Sequence, residues 1–289
     1  MPSDRASQTI RRRRLAAELR RLRERAGLTG DEAAERLGWS GSKISRIETH
    51  RIGVKQADIS KLLDLYGIDA QHREEVQALA RESGERGWLE SVGTLPAEYA
   101  AYIYAEAEAQ TLWNWEPLVI PGLLQTAGYA RAVMQGWQSM FALPPGGAER
   151  RAEIRHVRQQ ALTREKPLEV VAVIDESVLH RRFGDNDVMH QQLDQLATFS
   201  ELPSVEVRVL SLTAENPMAT GAFSYMKFAP VHDVPLADLV VVEQLTGSYY
   251  LEEEENTHQY RVTFEYLRAN AHDPERSREL IRSAAREWA

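Results

Sequence analysis

Apolar positions recur at helical spacing through the first 85 residues. Leu15, Leu19 and Leu22 fall at i, i+4 and i+7 with Arg and Glu opposite, which predicts a helix ending at Gly27. Thr29 caps a short helix from Asp31 to Leu37, halted by Gly38, and Ser40 caps a third running to about Thr49. Amphipathic spacing predicts two more, near Gln56 to Tyr66 and His72 to Ser83. Five short helices with small loops make a compact all-α unit. Gly84-Glu85-Arg86-Gly87 is the natural boundary, so the chain is expected to divide into residues 1–85 and 86–289.

The remainder has a different rhythm. Ala97 to Leu112 is helical in pattern, Pro117 and Pro121 break the chain, and helices are predicted at Gln125 to Gln135, Ala148 to Arg164, Val188 to Phe199 and Thr257 to Ala271. Leu143-Pro-Pro-Gly-Gly147 is a loop by composition. Glu169 to Ile174 is a continuous apolar run of the buried-strand kind, and Val205 to Val209 alternates as a half-exposed strand does. Phe223 to Phe228, Leu239 to Glu243 and Ser248 to Leu251 complete a sheet of about five strands in a mixed α+β domain.

Composition narrows the function class. A chain of 289 residues favours two domains, and 43% hydrophobic residues suffice for sizeable cores. The absence of cysteine removes disulfides, thiol catalysis and cysteine-based zinc sites, and is compatible with a reducing cytoplasm. No apolar run approaches the roughly 20 residues of a membrane span, and the arginine-rich start has no apolar stretch behind it, so neither membrane nor secretion is expected. The net charge of −8 argues against nucleic acid until its distribution is examined. Residues 1–60 hold 14 Lys+Arg against 8 Asp+Glu, whereas residues 86–289 hold 18 against 29. That asymmetry fits a nucleic-acid module joined to an acidic partner domain.

The stretch from Leu28 to Glu48 carries the strongest pattern. A helix-turn-helix needs small residues where its helices cross, supplied by Ala33-Ala34, and a tight turn, supplied by Gly38. Ile44 and Ile47 face inward on the second helix, leaving Gly41, Ser42, Lys43, Ser45 and Arg46 for a groove. Arg46 can contact guanine O6 and N7 bidentately. Lys43, Arg51 and Lys55 suit phosphates, Ser40 and Ser42 suit either, and Thr29 and Ser45 are further backbone candidates. Arg12 and Arg13, within Arg11–Arg14, are either an arm following phosphates or the minor groove, or a basic tail adding only non-specific attraction.

Over roughly residues 12–66 the chain resembles the Cro/phage-repressor family of helix-turn-helix domains. The resemblance implies a second helix lying in the major groove, with Gly41, Ser42 and Arg46 reading bases. It also places Arg23 and Glu48 where that family often has a buried ion pair. Two positions depart from the pattern: Gly30 stands where a phosphate-reaching Gln is common, and His50 where a glycine is common.

Two later blocks, Trp113 to Arg131 and Val241 to Glu252, resemble the domain of unknown function in actinobacterial WhiJ-like, antitoxin-like regulators. Arg158 to Arg164 and Pro217 to Phe223 share that likeness. The resemblance implies a transcriptional regulator, often associated with a small protein encoded nearby. Tyr102, Trp113 and Trp115 are candidates for an aromatic ligand or partner surface, though a helix packed on the sheet with its rings in the core is the preferred reading. Arg151, Arg155 and Arg158, at i, i+4 and i+7, would grip an anion or acidic partner, or form a solvated or interdomain face.

No nucleotide-binding glycine loop, zinc helix or nucleophile elbow occurs. Asp175-Glu176 is the most catalytic-looking pair, and a helix cap explains it better. The histidines are scattered without metal-ligand spacing. No enzyme activity, metal or cofactor is expected. The sequence thus points to a cytoplasmic, nucleoid-associated regulator that binds double-stranded DNA. It would act as a homodimer modulated by a small-molecule effector or protein partner, with an antitoxin-like partner-binding protein as the alternative.

Overall fold

The computed structural model describes residues 10–49, 52–84, 97–138, 147–215, 220–230 and 236–289. The chain divides into two compact units: Met1–Glu108 with Ala229–Leu236, and Ala109–Phe228 with Ala237–Ala289. The expected boundary at 84–87 and the loop at 143–147 fall, apart from Gly84 and Gly147, outside the described residues.

The first unit is helical: α1 (Ile10–Arg25), α2 (Gly30–Leu37), α3 (Gly41–Glu48), α4 (Gln56–Leu65), α5 (Ala70–Gly84) and α6 (Ala97–Glu108). Leu15, Leu19, Leu22, Ile44, Ile47, Ile59, Leu62, Leu63 and Val76 form one buried core, which explains the helical spacing of the apolar residues. The start of α2 is a complete capping box: the Glu32 N–H donates to Thr29 Oγ1 (3.2 Å) and the Thr29 N–H to Glu32 Oε2 (2.7 Å). Gly38 ends the helix at φ +65°, a conformation that side chains with a Cβ resist. A buried carboxylate ties α1 to α5. Glu18 on α1 accepts from Arg21 Nη2 (2.6 Å) and pairs with His72 Nε2 of α5 (2.8 Å).

The second unit is built on a six-stranded mixed sheet in the order β3-β2-β1-β4-β5-β6. Its strands are β1 (Thr111–Glu116), β2 (Glu169–Asp175), β3 (Val205–Leu210), β4 (Phe223–Lys227), β5 (Leu239–Gln244) and β6 (Gly247–Leu251). β1, β2 and β3 run parallel, with Leu112 beside Val170 and Ala172 beside Val207. β4 lies antiparallel to β1, and β5 and β6 continue antiparallel. The crossovers carry α7 (Ala127–Gln138) and α8 (Gly147–Gln159) before β2, then α9 (Ser177–His180) and α10 (Asn186–Phe199) before β3. α11 (Glu254–Asn270) covers one sheet face through Phe264 and Leu267, against Trp115, Val173, Phe223, Tyr225 and Val240. Among the described residues no helix is long and apolar enough to cross a membrane.

Two elements depart from the sequence expectation. The additional strand is β1, at the centre of the sheet; the helix expected to reach Leu112 ends at Glu108. β1 is covered on both faces, so it lacks the apolar–polar alternation of a half-exposed strand, and its buried Asn114 disguises it further. Asn114 is satisfied within the sheet, donating to Phe223 O (3.1 Å) and Ser224 Oγ (3.2 Å). The second departure is α12 (Pro274–Glu287), an element beyond the last expected helix. Asp273 caps it and Pro274 opens it, yet its buried stripe is Ser277, Ile281, Ala284 and Ala285, with one large apolar residue. The Val209 N–H of edge strand β3 donates to Ser277 Oγ, and Val209 O accepts from the His272 N–H.

Candidate nucleic-acid interface

The start of α3 is set by Ser40, whose Oγ accepts from the Lys43 N–H (3.2 Å). Ile44 and Ile47 are 1% and 2% exposed and pin one side of the helix to the core. The opposite side presents Ser42, Ser45, Arg46 and Thr49, all exposed and spaced as one stripe. Several side chains on it are tied within the helix. Ser40 Oγ and Ser42 Oγ lie 3.0 Å apart, Arg46 Nε donates to Ser42 O (3.1 Å), and Thr49 Oγ1 donates to Ser45 O (2.6 Å). Arg46 is therefore laid along the helix with its guanidinium exposed. A Cβ at Gly41 would collide with Asp31 Oδ1, a side-chain atom of α2.

The far end of α3 is anchored to α1. Arg23 donates through Nε to Glu48 Oε1 (2.7 Å) and through Nη2 to Oε2 (2.9 Å), a bidentate pair that is almost wholly buried. Arg23 Nη1 also donates to Leu28 O (2.6 Å), fixing the loop that precedes α2. The bond to Glu48 holds the guanidinium above its ordinary range against the opposing effect of burial. α3 is thus fixed along its inner side by packing and at its C-terminal end by charge.

The remaining sequence candidates fall in different settings. The Thr29 hydroxyl donates to Glu32 Oε2 (2.8 Å) within its own cap, beside a carboxylate. Lys43 reaches away from the exposed stripe to Asp58 on α4. Lys55 is exposed at the start of α4 and makes no side-chain cap. Arg51 and the side chains of Arg12, Arg13 and Arg151 lie outside the described residues.

The aromatic and arginine candidates of the later region do not form one cluster. Tyr102 is half-buried on α6 in the first unit. Trp113 and Trp115 lie on β1, not on a helix. Trp115 is core, its Nε1 donating to Thr220 O (3.2 Å), and Trp113 stacks on Phe264 (5.0 Å) and Tyr225 (5.3 Å) with Lys227 Nζ 4.0 Å over its ring. Arg155 and Arg158 are buried, and Arg155 Nε donates to Gln125 Oε1 (2.9 Å). They belong to a polar framework around 120–126: Gln125 donates to Ile120 O, Gln159 to Leu123 O and Gln125 O, and Gln192 to Leu124 O. Asp175 Oδ1 accepts from the Ser177 N–H, and Glu176 Oε2 from Ser211 Oγ and the Leu212 N–H.

Two family models match the chain. A family model described as a domain of unknown function, DUF5753, matches residues 99–283. The chain belongs to the DUF5753 family. In this DUF5753 protein a helix-turn-helix domain model also matches residues 14–76, which contain α2, the Gly38 turn and α3. The helix-turn-helix is a DNA-binding domain. No curated protein and no solved structure matches the chain.

Three neighbours of the site escaped the sequence reading. Thr49 was legible, since it falls seven residues after Ser42 on the exposed stripe. Trp39 lies four residues before Lys43, within local reach, whereas Asp58 carried no signal, because its relation to Lys43 exists only once α4 is in place.

Proposed function

We propose that this chain is a sequence-specific transcriptional regulator that reads duplex DNA through α3. The observation that carries the reading is the exposed Ser42, Ser45, Arg46 and Thr49 stripe, opposite buried Ile44 and Ile47 and anchored by Arg23–Glu48. Such a helix presents donors to base edges without rebuilding itself on contact. The chain acts as a homodimer, placing two reading helices in successive major grooves roughly 34 Å apart on a pseudo-palindromic operator. The DUF5753 portion is the regulatory half, answering a small molecule or protein partner. The protein performs no catalysis and works on the nucleoid in the cytoplasm.

Selection of bound duplexes from a random pool tests this directly. A two-fold site with half-sites one helical turn apart is the expected product. Affinity for it should fall linearly in log–log with salt, at a slope of about 0.9 per phosphate contacted. No enriched sequence, together with a flat salt response, would overturn the proposal.

A further inference from the structure

Lys43 is one residue away from the exposed stripe of α3, and its side chain takes a different route. Its ammonium lies 2.9 Å from Asp58 Oδ2 and 3.5 Å from the centre of the Trp39 ring. The Lys43 and Asp58 side chains are only 29% and 21% exposed. Trp39 is half-buried in the turn between α2 and α3 and packs against the core, while Asp58 stands in the first turn of α4. One cation therefore joins three pieces: the reading helix, the turn before it and the helix after it.

Asp58 has its own reason to stay. The start of α4 lacks a side-chain cap at Lys55, so the Asp58 carboxylate is the anion facing the positive end of that helix. A lysine leaving Asp58 for a DNA phosphate would abandon the face of Trp39. It would also leave a half-buried carboxylate unpaired beside a negatively charged duplex.

Resting on the DNA-binding reading above, we propose that Lys43 is a positioning residue of the interface and not a phosphate ligand. Held between Asp58 and Trp39, its ammonium fixes the tilt of α3 against α4 and the turn. Phosphate contacts then fall to other cations, and Lys43 sets how squarely Ser42, Ser45 and Arg46 meet the groove.

The two roles predict opposite signs for one substitution. Asp58→Asn removes the counter-charge at constant shape. Were Lys43 a phosphate ligand restrained by Asp58, that change would free it, tightening DNA binding and steepening the salt slope by up to about 0.9. As a positioning residue it loses its anchor, so binding weakens about threefold to tenfold with the salt slope unchanged, the size expected for a partly exposed ion pair with a cation–π contact.

The experiment uses the full chain and the duplex recovered by selection, titrated across a salt series, with thermal unfolding recorded for each variant. Asp58→Asn and Lys43→Met should each weaken binding with unaltered slope, and the double variant should be no weaker than the worse single one. Lys43→Arg, which keeps the charge and can still lie on the indole, should restore most of the affinity. Tighter binding by Asp58→Asn, a slope lowered by about 0.9 in Lys43→Met, or unchanged affinity in both would overturn the proposal. Failure of the parent chain to bind any duplex would be a different result, one that removes the DNA-binding reading and this inference with it.

Discussion

On the proposed reading, two arginines of the helix-turn-helix have opposite duties, and mutation should separate them. Arg23 is buried against Glu48, donating two hydrogen bonds to its carboxylate and a third to Leu28 O, so removing either charged partner leaves a charge without its counterpart. Glu48→Ala should destabilise the full chain by about 3–5 kcal/mol, seen as a lowered urea midpoint for loss of helix. Arg46 lies on the surface with one bond to its own helix, so Arg46→Ala should leave that midpoint nearly unmoved. Its cost appears on the duplex, as about 1–3 kcal/mol less discrimination at one base position. An Arg46→Ala protein that selects the same site as tightly as the parent would place the reading face elsewhere. At this scale the sequence was informative wherever geometry follows from spacing along one helix: the exposure of Ser42 and Arg46 is set by the buried Ile44 and Ile47. Contacts across helices are another matter. Asp58 lies fifteen residues from Lys43, and no periodicity announces that they meet.

Elements were legible in proportion to how much of their shape is set locally. α2 and α3 could be drawn to within a residue because Thr29, Gly38 and Ser40 act through their own backbone neighbours. Gly38 offers the cleanest check. Nothing lies within 4 Å of a Cβ built there, so Gly38→Ala tests the positive φ alone. It should cost about 1 kcal/mol in urea unfolding, and an unchanged midpoint would mean the turn adopts another conformation. β1 was lost for a non-local reason. Whether Thr111–Glu116 is a strand is decided by β2 and β4 on either side of it, and its tryptophans read as helix until those partners are known. α12, by contrast, was legible locally, since Asp273 caps it, Pro274 opens it and its buried Ser277, Ile281, Ala284 and Ala285 recur at helical spacing.

Across the whole molecule, two carboxyl groups contribute to stability with opposite dependence on pH. In the first unit, burial raises the pKa of Glu18, but the hydrogen bonds and charges of Arg21 and His72 outweigh it, and the group ends below its ordinary range. A depressed carboxylate stabilises the fold above its unfolded value near 4.5 and loses that contribution as pH falls through the folded value. In the second unit, Glu116 ends the central strand β1. Burial, reinforced by the charge of Glu243 and opposed by Asn114, pushes its carboxyl up to about 8. Between 4.5 and 8 the folded state then binds more protons at this position than the unfolded chain does, so stability declines as pH rises through that window. Glu116→Gln keeps the shape of the protonated acid and cannot ionise. The melting temperatures of parent and variant should therefore nearly coincide at pH 5 and diverge towards pH 8, with the variant the more stable. A constant difference between them across that range would show that Glu116 ionises freely in the folded protein. The same comparison bears on regulation, because a ligand or partner that binds better to one protonation state of the second unit shifts the pH at which the curves part. Measuring that shift with candidate effectors present would tie the DUF5753 portion to a signal without assuming what the signal is.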